Sequence, residues 1–252
     1  GNSGMDAGRL GGMLSLAVPG ARDSISQAIF RKESVAAEIP YTLNLNQTGS
    51  FSQDQTVSLL AYLGFLTIDP ETSKKSRMIH WRCPNEVCYQ TFIDCEAKSI
   101  GFRQSSRLDL SGVTERGDIM PLVEETARRI SGIPASAFSG FNERCLQIVF
   151  YYTAMDSDDD SLLPELECDT GGRGRADLFI RNMRSGGRQY LLELKYLSEA
   201  KGTESAVASK LGEAKEQLAR YRDAPNFKDV KNLDCWAIVF VNKEPKAVEK
   251  LA

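Results

Sequence analysis

Two short apolar runs, at residues 176–180 and 190–196, flank a polar turn that holds Ser185, Gly186 and Gly187. Runs of that length joined through glycine predict a β-hairpin. Downstream, Leu211, Ala214, Leu218 and Tyr221 recur at helical spacing and predict an amphipathic helix over residues 205–223. Residues 235–241, Cys-Trp-Ala-Ile-Val-Phe-Val, are unbroken apolar, as expected of a strand covered on both faces. Upstream, residues 137–154 read as a helix and residues 163–168 as a strand. The second half therefore runs helix, strand, hairpin, helix, strand.

The first half carries mostly helical spacing. Residues 23–38 open on Asp23 and Ser24 and place Ile25, Ala28, Ile29 and Val35 on one face. Residues 53–63 put Val57, Leu60 and Leu63 together before Gly64. Residues 65–68 predict a strand entering a turn at Asp69-Pro70, and residues 78–82 a second strand. Pro84 is placed to open a helix running toward Cys95. Residues 119–130 predict another helix, with Leu122, Val123, Ala127 and Ile130 apolar. Residues 5–20, rich in glycine, read as loose, and residues 40–52 as loop or short strand. Gly132-Ile133-Pro134 breaks the pattern, so the expected division is a mainly helical accessory region at 5–134 and an α/β domain at 135–252.

Composition narrows the class. The chain has 252 residues, 42% hydrophobic and 26% charged, ordinary for a globular protein. No apolar run approaches a membrane span, and no secretory leader is visible, so no membrane partner is expected. Gly1-Asn2-Ser3-Gly4 before Met5 reads as a tag remnant. The six cysteines have no disulfide-framework rhythm, which favours an intracellular compartment, nuclear or cytoplasmic. His80 is the only histidine; this excludes two-His metal sites and argues against a Ser-His-Asp hydrolase. His80, Cys83, Cys88 and Cys95 match no zinc-knuckle spacing. The acidic stretch 156–160 lacks the glycine and distal glutamate of an EF-hand. The net charge of −3 conceals an asymmetry: residues 171–252 carry 16 Lys and Arg against 11 Asp and Glu, leaving +5 there and −8 in the rest. A basic C-terminal part suits a polyanionic partner.

The candidate chemistry lies in the hairpin. Asp177 heads the first run, and Glu193 and Lys195 lie two apart in the second, hence on one face of their strand. An acid and a lysine among Leu191, Leu192 and Leu194 are costly to bury unless they pair or hold a metal. Two carboxylates from neighbouring strands can share a hard cation such as Mg²⁺. A lysine beside them can orient, or help deprotonate, a water attacking a phosphodiester.

The pattern Asp177-x15-Glu193-x-Lys195 resembles the PD-(D/E)xK nuclease superfamily. Within it the chain resembles the nuclease domain associated with AAA-ATPase-like proteins. Asn142-Glu143-Arg144 is similar to that family's N-E-R. Gly174-Arg175-Ala176-Asp177-Leu178 is similar to its G-R-x-D-L, with Ala176 where proline is frequent. Ala214 to Tyr221, A-x-x-Q-L-x-x-Y, resembles its fourth motif. Tyr62-Leu-Gly-Phe-Leu-Thr67 and Pro84-Asn-Glu-Val87 resemble segments lying between ATPase and nuclease.

The resemblance implies a restriction-endonuclease-like fold, a mixed central sheet flanked by helices. It also implies a Mg²⁺-dependent endonuclease, with Mn²⁺ as a substitute and DNA favoured over RNA. Asp177 and Glu193 would hold the metal, helped by the Leu194 carbonyl and completed by Glu143. Lys195 would position the water and Gln217 would brace the site. Arg173, Arg175 and Tyr221 would contact nucleic acid. No G-x4-G-K-[S/T] P-loop occurs, so an ATPase-like domain or partner would have to lie outside this chain. Two alternatives remain open: a catalytically silent module that binds nucleic acid or a protein, and a role within a toxin or effector.

Overall fold

The computed structural model describes residues 6–40, 50–74, 78–102, 107–158 and 160–251. The expected tag remnant, most of the segment at 40–52 and Asp159 of the acidic stretch lie outside the described residues. The chain divides into two compact units, Gly1–Ser99 and Ile100–Ala252. The sequence break at Gly132–Pro134 therefore falls inside the second unit.

In the first unit, helix α1 (Ala7–Leu14) stands where a loose segment was expected. Its glycines hid an i, i+4 pair, Leu10 and Leu14, which are both fully buried, and Asp6 caps the helix by accepting the Gly8 N–H at 2.8 Å. Helix α2 (Pro19–Phe30) is shorter than the spacing over 23–38 suggested. Lys32 takes a left-handed φ of +53° and ends it, and Val35 enters strand β1 (Val35–Ala36). Helix α3 (Gln53–Tyr62) starts at a capping box in which Ser52 and Gln55 each accept the other's backbone N–H. Strand β2 (Thr67–Ile68), helix α4 (Pro70–Ser73), strand β3 (His80–Arg82) and helix α5 (Glu86–Ser99) follow. The short strands form one antiparallel sheet in the order β1-β3-β2. Burial pushes the Cys83 thiol up to about 12 and the Cys95 thiol up to about 11, so these cysteines pack as protonated apolar groups.

In the second unit a π-helical turn at Gly112–Arg116 precedes helix α6 (Met120–Ser131). The helix expected over 137–154 is two helices, α7 (Ala135–Phe138) and α8 (Glu143–Met155). Asn142 makes the break: its backbone is extended and its side chain accepts the Cys145 N–H at 3.2 Å, which starts α8 afresh. Strands β4 (Leu162–Asp169), β5 (Arg175–Asn182) and β6 (Gln189–Leu197) lead to helix α9 (Glu204–Arg222), then to β7 (Leu233–Val241) and β8 (Glu244–Lys250).

The sheet is mixed, in the order β4-β5-β6-β7-β8, with β6–β7 parallel and the other neighbours antiparallel. A parallel pair needs a crossover connection, and α9 supplies it. Ala214, Leu218 and Tyr221 of α9 pack on Phe179, Leu191, Cys235 and Ala237. From α8, the fully buried Phe150 meets Phe240 edge-on with ring centroids 5.8 Å apart. Strand β8 was not anticipated, because its Glu-Pro-Lys-Ala-Val-Glu-Lys sequence is that of a polar edge strand, half in water. Among the described residues no helix is long and apolar enough to cross a membrane.

Candidate active site

The β5–β6 ladder pairs Ile180 with Tyr190, Phe179 with Leu191 and Leu178 with Leu192, and stops there. Beyond that point β6 continues against β7 as far as Leu197 and Val241. Asp177 and Glu193 are the next residues after the last β5–β6 pair. Asp177 Oδ2 accepts the Leu194 N–H at 2.7 Å, so a carboxylate takes a backbone donor of the neighbouring strand.

Glu193 and Lys195 project together, as alternation requires, and are 1% and 3% exposed. Lys195 Nζ donates to Glu193 Oε1 at 2.9 Å. Glu143, in the first turn of α8, brings a third carboxylate: Oε2 accepts the Tyr196 N–H at 3.3 Å, and Oε1 lies 3.7 Å from Lys195 Nζ. The ion pair is therefore buried rather than spread on a solvent face.

Electrostatics follow from that burial. Asp177 holds its proton well above the usual carboxylate range, first because it is desolvated and then because Glu193 is near. Lys195 and the Leu194 N–H act in the opposite direction without cancelling the rise. Burial likewise raises Glu193 to about 7, against the attraction of Lys195. For Lys195 desolvation disfavours the ammonium, but Glu193, Asp177 and Glu143 outweigh it and hold the lysine above its ordinary value. The group is one cation among three acids, and its negative charge is incompletely balanced.

Helix α9 closes this face. Gln217 hydrogen-bonds Tyr221, whose phenol is raised first by burial and then by the nearby Glu193 and Asp177. Tyr221 is 5% exposed and part of the core, so its ring presents little surface to a nucleic acid. A methyl on Gly174, whose φ is +109°, would come within 3.3 Å of Tyr221 Oη, which ties the glycine to this packing. The two arginines point to backbone rather than to the acids. Arg173 Nη1 donates to the Arg220 carbonyl at 3.4 Å, and Arg175 Nη1 to the Glu167 carbonyl at 3.1 Å. Arg173 is exposed and Arg175 half-buried. Leu194 is engaged through its N–H.

The donor set suits a divalent cation. Glu193 Oε2 and Gln217 Oε1 are buried oxygens without a hydrogen-bond donor, and burial raises Asp177 and Glu193 toward their protonated forms, so a bound cation would stabilise the two carboxylates. Among the described residues no three His, Cys, Asp or Glu side chains gather as ligands of one ion. The protein ligands would thus be the pair Asp177 and Glu193, with backbone oxygen and water completing the shell, as a hard cation that keeps its waters allows.

One acid escaped the sequence reading. Glu167 on β4 is 8% exposed, and its charge adds to the rise at Glu193. The only trace in the sequence is a carboxylate between Leu166 and Cys168, both of which are buried.

No curated protein and no solved structure matches the chain. A family model described as the PD-(D/E)XK nuclease superfamily matches residues 141–250, a span that takes in Glu143, both hairpin strands and α9. Over residues 141–250, then, this chain is similar to the PD-(D/E)XK nuclease superfamily.

Proposed function

We propose that this domain is a divalent-cation-dependent nuclease that hydrolyses phosphodiester bonds, those of DNA in preference to RNA. The observation that carries the reading is the buried group Asp177, Glu193 and Lys195 where the β5–β6 ladder ends, with the partly exposed Glu143 beside it. PD-(D/E)XK nucleases generally use divalent metals, typically Mg²⁺. Here Asp177 and Glu193 would hold the ion, with Glu143 completing the acidic group. When bound, the ion stabilises charge on a phosphoryl oxygen and lowers the pKa of a coordinated water.

The chain's own residues supply orientation. The ammonium of Lys195, held above its ordinary value, stays charged at neutral pH and acts as a donor rather than a base. It can aim a water or steady a phosphate oxygen. Glu143 fixes that ammonium from α8 and fixes β6 through the Tyr196 N–H. Gln217 holds Tyr221 against the acids. The +5 excess over residues 171–252 suits a polyanionic substrate. A link to an ATPase-like domain rests on the motifs at 62–67 and 84–87 alone.

Cleavage of plasmid DNA, single-stranded DNA and RNA in Mg²⁺, with and without EDTA, tests the proposal. The wild type is expected to cut, EDTA to stop it, and Asp177→Ala and Lys195→Ala each to lower the rate roughly 100-fold or more. Equal activity in all three proteins would end it.

A further inference from the structure

We propose that Glu167 is a further carboxylate of this site and contributes charge to its cation pocket from β4. The inference rests on the nuclease reading above and deepens it. The β4–β5 ladder pairs Leu166 with Leu178 and Cys168 with Ala176. Between those pairs Glu167 stands across from Asp177, but it makes no regular pair, because its φ is +48°. A non-glycine residue in the left-handed region within a strand is strained, and such strain persists where the surroundings fix it. Arg175 is part of that fixing, since its guanidinium donates to the Glu167 carbonyl at 3.1 Å.

Glu167, Asp177 and Glu193 thus come from three adjacent strands, β4, β5 and β6, at one level of the sheet. Each is buried, at 8%, 7% and 1% exposure. A buried oxygen in the same group, Glu193 Oε2, has no donor, which independently marks the place as prepared for a cation. Among the described residues no three acids gather as direct ligands of one ion, so Glu167 acts through its field or through a water of the ion's shell.

Mn²⁺ binding to the full chain, without nucleic acid, reads this directly by calorimetry or by the electron-spin signal of the free ion. Asp177→Asn serves as the control for the site. Two variants separate carboxylate from backbone: Glu167→Gln keeps the shape and loses the charge, and Glu167→Gly loses the charge but relaxes the left-handed backbone. Both are expected to weaken Mn²⁺ roughly tenfold. Wild-type affinity in either variant, with Asp177→Asn still defective, would overturn the role of Glu167 and leave the nuclease reading standing. Wild-type affinity in Asp177→Asn, or no binding by the wild type, would overturn both.

Discussion

Glu193→Gln should make the metal-free protein more stable at alkaline pH while destroying its chemistry. Burial raises the Glu193 carboxyl from 4.5 to about 7 in the folded chain. Such an acid holds its proton more tightly when folded than when unfolded. Its contribution is therefore most favourable below pH 4.5; it declines as the pH rises toward 7, and above that the whole penalty is present. At about 1.4 kcal/mol per pH unit the interval corresponds to about 3 kcal/mol. Glu193 is 1% exposed, so solvent screening takes little from that figure. Glutamine has nearly the same shape, cannot ionise, and leaves Lys195 with Glu143 nearby.

For a domain of this size about 3 kcal/mol moves Tm by roughly 5–10 °C. Melting curves followed by circular dichroism in EDTA, from pH 4.5 to 8.5, should converge at the acid end and separate by that amount at the alkaline end. Parallel curves, or a variant that melts at or below the wild type at pH 8, would refute the claim that the site is held at a cost in stability.

Two further outcomes follow from the same geometry. Asn142→Ala removes the acceptor that bonds the Cys145 N–H and starts α8, and should cost about 1 kcal/mol in urea denaturation; because Glu143 is the next residue, cleavage should fall by more than that loss of stability explains. Gly174→Ala combines a φ of +109° with a methyl directed at Tyr221 Oη, and should cost at least about 1 kcal/mol in the same assay, with Tyr221→Phe changing stability less.

The hairpin and the pairing of Glu193 with Lys195 were legible because alternation in a strand is strict: once residues 190–196 were a strand, the two had to share a face. Glu143 and Gln217 were legible only through motif resemblance, since a first-turn acid and a helical glutamine are ordinary by themselves. What stayed hidden depends on backbone geometry that residue types do not encode. Strand β8 is polar because one side faces water, so no apolar run announced it. Helix α1 was masked by glycines although Leu10 and Leu14 bury it. The split between α7 and α8 turns on one capping asparagine inside otherwise continuous helical spacing. Arg175 reads as a phosphate contact by type, and nothing in the sequence shows that its guanidinium also donates to the main-chain carbonyl of Glu167, a residue with a φ of +48°. Glu167 itself is recognisable only once two strands are laid side by side.

The hydrogen bond from Leu194 to Asp177 also gives the protein an internal gauge. This amide is held by a titrating side chain and lies next to Glu193. Its proton resonance will therefore move with the charge on Asp177, and its exchange with deuterated solvent will slow or quicken as that bond tightens or loosens. In isotopically labelled protein a single main-chain signal would then report, without any substrate, whether the carboxylate is protonated, ionised or occupied by a cation.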